Sequence, residues 1–256
     1  MKILKFKLWG KTAFFKKPDV NTYMYFTYGN IHKVALLGLL GAVVGYGGYN
    51  QFEAKRRCDK KFRGQYPEFY EKLKSIKVGI EPNNEGAFIC KKIQVFNNSV
   101  GYASKEMGGN LIVKEQWLEN PSWNIYLLVN NEEAENITEA IINRKSVFTP
   151  YLGKNDHSAN ITDIEVFDGC SKVERLDKIN SLCFKEDVTL SLPESDWAEE
   201  VVADEEYFKY TESLPVGLDE ETNLYIMKSF VYSNMDVDSI RAKDIYKVQN
   251  KNIIFI

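Results

Sequence analysis

Residues 10–30, GKTAFFKKPDVNTYMYFTYGN, alternate positively charged and aromatic side chains. Lys11, Lys16 and Lys17 could bind phosphates, and rings such as Tyr23 could stack on bases. This is the chemistry of a surface for single-stranded nucleic acid. The same rings could equally pack in a protein core. We therefore predict nucleic-acid binding by this segment, with a purely structural aromatic stretch as the alternative.

The distribution of charge supports this prediction. The net charge is only -3, from 33 Lys and Arg against 36 Asp and Glu. Residues 1–75 hold fifteen Lys or Arg and five Asp or Glu, which by difference leaves eighteen and thirty-one for the remainder. A local excess of positive charge is typical of a protein that binds one nucleic-acid strand on one face. A solvated lysine surface is the alternative.

The spacing of other reactive residues disfavours several chemistries. Cys58, Cys90, Cys170 and Cys183 form no CxxC pair, so we expect no zinc site, no disulfide framework and no cofactor. The GKT at residues 10–12 lacks the glycine that a phosphate-binding P-loop needs five residues earlier. No signal peptide is indicated, and unpaired thiols are typical of a reducing cytoplasm, where we expect the protein to act.

The stretch NIHKVALLGLLGAVVGYGGY, residues 30–49, organises the rest of the chain. It is apolar on nearly every face of a helix, as in an element buried in a core or a membrane. A membrane span needs about 20 apolar residues, and this run is shorter, so we expect a core helix and no membrane partner. The run ends in Gly45, Tyr46, Gly47 and Gly48, where the backbone could approach a partner closely. A simple glycine stop is the alternative.

A positively charged cluster follows the glycines at residues 55–63, KRRCDKKFR, and includes Arg56. Beside a glycine bend such a cluster could contact phosphate. It could equally form the solvated face of a helix.

Hydrophobic periodicity predicts an α+β fold. The predicted order is βαββαβ, a ferredoxin-like sheet of the kind that also underlies the RNA recognition motif (RRM). The aromatic signature of that motif is missing, so we do not expect its sheet-face stacking mode. A polar, glycine-rich stretch at residues 97–110 predicts a long hairpin tip. The predicted strands are residues 2–9, 85–96, 111–117, 123–129 and 161–167, and the predicted helices lie within 30–49, 51–75 and 131–143.

Beyond residue 170 the pattern changes to short strand-like runs among many acidic side chains. We expect residues 171–256 to form a strand-rich carboxy-terminal subdomain that faces protein or solvent rather than RNA phosphate. Its predicted strands are residues 188–192, 201–210, 224–232 and 246–256.

The order of these features resembles the Cas-five family, which belongs to the RAMP superfamily of CRISPR proteins. The resemblance lies in the first strand, the FFKKPDVNT turn, the tyrosine-rich stretch and ALLGLLGAVVGYGGY. It continues in KEQWLENPSWNIYLLVN at residues 114–130 and TPYLGKNDHSANI at residues 149–161. It implies a ferredoxin-like RAMP domain over residues 1–170, with a protruding β-hairpin, the thumb, at about residues 97–115.

The resembled family supplies a backbone subunit of the Cascade surveillance complex. The resemblance therefore implies a non-catalytic protein of antiviral defence that holds the 5′ handle of the CRISPR RNA (crRNA) and caps the backbone subunits. Implied partners are the Cas-seven backbone subunit, the large Cas-eight subunit and, through the complex, target DNA; subtype I-B is the preferred system. The expected RNA contacts are Lys11, Lys16, Lys17, Asn21, Tyr23, Gly45, Tyr46, Gly47, Gly48, Arg56, Lys154 and His157, with Tyr102, Lys105 and Met107 in the thumb.

Two other functions remain open. Some members of the resembled family cut CRISPR repeat RNA without a metal, which requires a general base, a general acid and a cation on the phosphate. Tyr46, His32, His157 and Lys154 could fill these roles, although the Lys-His pair of the cleaving members is missing and His32 is better explained as a helix-start residue. The third possibility is an interaction protein with no role in RNA binding.

Overall fold

The computed structural model describes residues 1–19, 22–59, 65–191 and 206–256. The helices in these ranges are α1 (Lys33–Val44), α2 (Tyr49–Cys58), α3 (Glu68–Leu73) and α4 (Glu132–Ile142). The strands are β1 (Lys2–Trp9), β2 (Thr12–Ala13), β3 (Val78–Pro82), β4 (Lys91–Asn97), β5 (Ile112–Glu119), β6 (Ser122–Val129), β7 (Asn160–Phe167), β8 (Cys183–Phe184), β9 (Val188–Leu190), β10 (Lys209–Leu218), β11 (Tyr225–Ser233), β12 (Val237–Ile240), β13 (Ile245–Val248) and β14 (Lys251–Ile254).

The central sheet has four antiparallel strands in the order β3-β6-β1-β7. Strand β1 pairs with β6 from Lys2 opposite Val129 to Trp9 opposite Ser122. Helix α1 lies in the connection from β1 to β3, and α4 connects β6 to β7. This is the predicted βαββαβ arrangement, so the α+β, ferredoxin-like prediction is confirmed.

Helix α1 is apolar all round because it is covered on several sides. Leu36, Leu37 and Leu40 are fully buried, and the helix contacts α3, α4 and β10. The largest hydrophobic core also contains Leu214 and Phe230, so the strands beyond residue 170 share the core that α1 occupies.

The second strand of the central sheet is β3, and not the predicted strand at residues 85–96. All five residues of β3 are buried, so its sequence shows no alternation, and Gly79 and Pro82 both lower its strand propensity. Residues 85–87 form a short 3₁₀ turn, and β4 pairs with β5 instead. The protruding hairpin is therefore longer than expected, because its two strands run from Lys91 to Glu119.

The carboxy-terminal strands follow the prediction with different bounds. Strands β9, β10 and β11 overlap the expected runs, but residues 246–256 contain an antiparallel hairpin, β13–β14, rather than one strand. Residues 201–205 of the predicted strand at 201–210, and residues 60–64 within the charged helical region, lie outside the described residues.

Close packing between α1 and α3 leads to a stability prediction at Gly41. A Cβ atom added there would lie 2.6 Å from Phe69 Cβ, whereas one added at Gly38 would lie 3.7 Å from the nearest Phe69 atom. Alanine is about 1 kcal/mol more favourable than glycine within a helix, and this gain applies equally to both positions. Overpacking, which costs about 1–3 kcal/mol, applies to position 41 alone. We expect Gly41→Ala to be about 2 kcal/mol less stable than the control Gly38→Ala in urea unfolding. Equal stabilities would show that the two helices can separate.

Candidate nucleic-acid interface

A cleft of about 570 Å³ runs along one face of α1. The small residues Ala35, Gly38 and Ala42 leave room on the helix surface, and Lys16 contributes a positive charge to the wall. The remaining walls come from residues 14–16, the glycine bend at residues 45–48, the first turn of α2 and the loop at residues 148–153. The rings that line the cleft are Phe14, Phe15, Tyr46, Tyr49, Phe69, Phe148, Tyr151 and Tyr225.

The glycine bend, residues 45–48, forms one end of this cleft. Gly45 has the left-handed backbone conformation, with φ 89°, which ends α1 and strongly favours glycine. The backbone N–H of Gly47 donates to Glu68 Oε2 at 2.9 Å, and Gly48 immediately precedes α2. The glycine stop, the alternative from the sequence, is therefore present, and close approach of a partner stays a prediction. The glycine bend brings Tyr46 and Gly48 to the wall of the cleft, whereas Gly45 and Gly47 are set back from it.

The three lysines predicted to bind phosphate lie in different environments. Lys16 is exposed, lines the cleft and has its Nζ 3.9 Å from the centre of the Tyr25 ring. Lys17 Nζ lies 3.3 Å from Glu212 Oε1, so a carboxylate already offsets much of its charge. Lys11 is exposed but does not line the cleft. Lys16 is therefore the lysine best placed to meet a ligand there.

The aromatic side chains of residues 10–30 divide between the interior and the surface. Tyr23 is 87% exposed, as expected for a base contact. Phe14, Phe15 and Tyr28 are buried, so the structural alternative holds for these three rings. Asn21, another predicted contact, lies outside the described residues.

His32 caps the amino terminus of α1 beside the cleft. Its Nδ1 accepts a hydrogen bond from the backbone N–H of Ala35 at 3.2 Å, which confirms the predicted helix-start role. The side chain is 3% exposed and packs against the rings of Tyr28 and Tyr225. Burial lowers the pKa of His32 to about 3, so the imidazole is neutral near pH 7.

This burial predicts how stability depends on pH. The unfolded chain protonates His32 below its ordinary pKa of 6.5, but the folded protein does so only near 3. The stability due to neutral His32 is therefore present above pH 6.5 and lost as pH falls towards 3. Between pH 7.5 and 5.0 the loss is about 2 kcal/mol. Urea unfolding at both pH values should show a larger fall in stability for wild type than for His32→Asn, which retains a capping oxygen. An equal fall in the two proteins would contradict the low pKa of His32.

Tyr46 lies at the cleft with its hydroxyl already engaged. The hydroxyl donates a hydrogen bond to Glu133 Oε2 on α4. Burial and the adjacent Glu133 carboxylate raise the pKa of Tyr46 to about 12. The phenol is therefore protonated at neutral pH and is held by the carboxylate.

The predicted contacts Lys154 and His157 lie in the turn that supports the base of the hairpin. Lys154 Nζ pairs with Asp156 at 3.0 Å and with the buried Glu115 of β5 at 3.3 Å. Partial burial lowers the pKa of Lys154, but its hydrogen bonds to Asp156 and Glu115 outweigh that effect and raise it. The carboxylate of Glu115 also accepts from Trp117 Nε1 at 2.8 Å.

His157 is 1% exposed, which corrects its assignment as a direct RNA contact. Its Nδ1 lies 2.7 Å from Thr12 Oγ1. Its ring is perpendicular to the ring of Trp117, in a T-shaped contact with a centroid distance of 4.6 Å. Burial lowers its pKa. Neither His157 nor Lys154 lines the cleft, although the adjacent Gly153 does.

The remaining predicted contacts lie elsewhere on the surface. Arg56 of α2 is exposed and pairs with Glu53 at 3.0 Å, outside the cleft lining. Tyr102, Lys105 and Met107 occupy the hairpin tip and are all exposed, Met107 completely. The structure therefore brings Lys16, Tyr46, Gly48 and His32 together around the cleft and leaves the tip residues as a separate group.

The fold is shared with proteins of CRISPR systems. A protein of a structure titled "CRISPR RNA-guided surveillance complex" matches with a TM-score of 0.51 and 11% identity, over 92% of this chain and 91% of that one. A CRISPR protein from Archaeoglobus fulgidus matches with a TM-score of 0.50 and 10% identity, over 99% and 98%. The chain has the α+β fold of these CRISPR proteins. No protein-family model and no curated protein sequence matches this chain.

This comparison confirms the predicted relation to CRISPR-associated proteins at the level of fold. The resemblance to the Cas-five family within that group, and to subtype I-B, remains a prediction.

In this chain the sheet face opposite the helices is largely covered. The hairpin β13–β14 packs on it, with Tyr246, Ile253 and Phe255 against Ile3 and Tyr126. An RRM stacks bases on the corresponding open face. The covered face favours a ligand site on the helix side, where the cleft lies.

The prediction from sequence missed several cleft residues. Tyr49, Phe148 and Tyr151 are each at least 43% exposed, and Tyr225 comes from the distant strand β11. Tyr151 lies within TPYLGKNDHSANI, so that motif gave a signal, whereas Tyr225 had none because its contact is made only in the folded chain. Within the described ranges, no cluster of His, Cys, Asp and Glu is arranged to hold a metal. No helix in the same ranges is long and apolar enough to span a bilayer.

Proposed function

We propose that this chain is a non-catalytic subunit of a type I CRISPR effector complex of the cytoplasm, and that it binds the 5′ handle of crRNA. The main support for this proposal is the cleft, which brings exposed rings, the Lys16 cation and the glycine bend together on one surface. Rings and cations in a groove are the features that bind unpaired RNA. The RAMP-like fold, shared with a protein of an RNA-guided surveillance complex, supports the same proposal.

The proposed partners follow from the resemblance to the Cas-five family. They are the Cas-seven backbone subunit, the large Cas-eight subunit and, through the complex, target DNA. The exposed hairpin tip supports a contact with a neighbouring subunit or its RNA, because Tyr102 and Met107 present large apolar side chains to solvent.

Geometry favours binding over cleavage. His32 is neutral and uses Nδ1 as a cap, and Tyr46 is a protonated phenol held by Glu133. His157 is buried, and Lys154 is paired with two carboxylates. A base with a pKa near 7 and an accessible acid are what metal-free cleavage requires. These side chains supply neither in this arrangement.

A binding assay with labelled, unpaired repeat RNA separates the three functions. We expect a shifted and intact band whose affinity falls steeply as salt rises, because phosphate contacts release counterions. A cut product without added metal would establish the nuclease instead. A band that never shifts would favour the interaction protein.

Charge reversal at Lys16 tests the proposed surface. We expect Lys16→Glu to weaken binding about tenfold at low salt and to reduce the salt slope by about 1. Lys243→Glu is the matched control, because this exposed lysine precedes the hairpin on the opposite face of the sheet. Lys17 is a poorer test, since a glutamate there would face Glu212. Equal losses in the two variants would indicate only a general effect of net charge.

A further inference from the structure

The cleft contains a hydrogen-bond donor whose direction is set by the helix cap. His32 Nδ1 accepts from the Ala35 N–H, so Nδ1 carries no proton. In a neutral imidazole the proton then resides on Nε2, which becomes a donor. His32 lines the cleft, and within the described residues its one side-chain hydrogen bond is made by Nδ1. A polar N–H in a mostly aromatic site is the type of group that orients a ligand.

The walls around His32 suit a flat ligand that carries a phosphate. Tyr49, Phe148 and Tyr151 stand at the cleft with about half of their surfaces exposed. The first turn of α2 also lines the cleft, and the amino terminus of a helix favours an anion. Lys16 adds a positive charge, and a volume of about 570 Å³ is within the range of small-ligand sites.

We propose that this cleft takes an unpaired nucleobase of the bound RNA, with the His32 Nε2–H donating to an acceptor atom on the edge of the base. This inference rests on the proposed function and assigns one subsite within it. The base lies against the rings, and its phosphate lies towards Lys16 and the start of α2. An apolar side chain from a protein partner is the competing occupant, but it would use neither the cation nor the imidazole donor.

Two variants test the subsite in the full chain. Gly38→Leu fills the cleft from its floor, since Gly38 lines it and has ordinary space for a Cβ. The leucine would take the space of the stacked base, so we expect binding of a labelled octauridylate or octaadenylate to weaken about tenfold. His32→Asn retains an N-cap acceptor but removes the Nε2–H, and we expect a loss of about threefold. The control Asn136→Leu adds a leucine to an exposed position of α4 and should bind like wild type.

A second readout observes the donor directly. The chain contains two histidines, so a histidine-selective ¹⁵N spectrum shows only His32 and His157. Octauridylate should shift the His32 Nε2–H signal and leave His157 nearly unchanged, and ribose 5-phosphate, which has no base, should not shift His32. An equal shift with ribose 5-phosphate would overturn the assignment of a base to the cleft.

The outcomes separate this inference from the proposed function. If wild type binds RNA with a strong salt dependence but Gly38→Leu binds equally well, the base subsite is wrong and the function stands. If wild type binds neither oligonucleotide nor repeat RNA, both fall. If Gly38→Leu retains RNA affinity but fails to join the complex, the cleft belongs to a protein side chain and the proposal is overturned.

Discussion

Gly153→Ala is expected to lose about 4 kcal/mol of stability. Gly153 has φ 85°, a conformation that costs other residues about 1–2 kcal/mol. A Cβ atom there would lie 2.0 Å from the carbonyl oxygen of Phe14. That oxygen belongs to backbone fixed by the bond from Phe14 N–H to Leu152 O, so it cannot move aside cheaply. The clash adds an overpacking cost of about 1–3 kcal/mol.

Urea unfolding followed by circular dichroism measures this loss. Gly101→Ala is the matched control, because a Cβ atom there meets nothing within 4 Å and we expect the stability to stay within about 0.5 kcal/mol of wild type. If Gly153→Ala retained wild-type stability, the turn at residues 151–158 would be able to separate from the amino-terminal segment. The contact between this turn and Phe14 would then not be what holds Tyr151 and Gly153 in the wall of the cleft.

The sequence predicts the elements that are strongly periodic or apolar throughout. Helix α1 is identified because Leu36, Leu37 and Leu40 belong to an apolar run too short for a membrane. The amphipathic α4 is similarly clear, with its first-turn acids and the Asn131 cap. Strand β3 is missed because it is buried on both faces and has no alternation. Local patterns therefore predict those elements whose environment differs between faces or is uniformly apolar over a long run.

The site is less predictable because its contacts join distant parts of the chain. The polar loop around His157 suggests exposure, yet Thr12, 145 residues away, and Trp117 enclose the ring. Tyr46 is expected to be available, but Glu133 binds its hydroxyl. Spacing in the sequence identifies which side chains could do chemistry. Only the folded chain determines which of their polar atoms already have a partner.

Loss of the Lys154 charge is expected to destabilise the base of the hairpin by about 3 kcal/mol. Lys154→Met would leave the carboxylate of Glu115, 5% exposed, with Trp117 Nε1 but without its cation. Breaking a buried ion pair costs about 3–5 kcal/mol, and the lower end applies because the Lys154 side chain is 33% exposed and partly screened. Lys154 also covers the Phe96 ring of β4 at 5.1 Å, so the loss should loosen β4 and β5.

A double-variant cycle identifies the cause of that loss. Glu115→Gln removes the charge but keeps an acceptor for Trp117 Nε1, so Lys154→Met with Glu115→Gln should be more stable than Lys154→Met alone. Urea unfolding of wild type, the two single variants and the double variant gives the coupling energy between the two residues. Strictly additive losses would show that the ion pair does not stabilise the fold. The same double variant tests the predicted contact between Lys154 and RNA, since Lys154 lies outside the cleft. If the folded double variant binds repeat RNA like wild type, the role of Lys154 is to support the hairpin. If it is stable but binds RNA weakly, Lys154 contacts the RNA as predicted from the sequence.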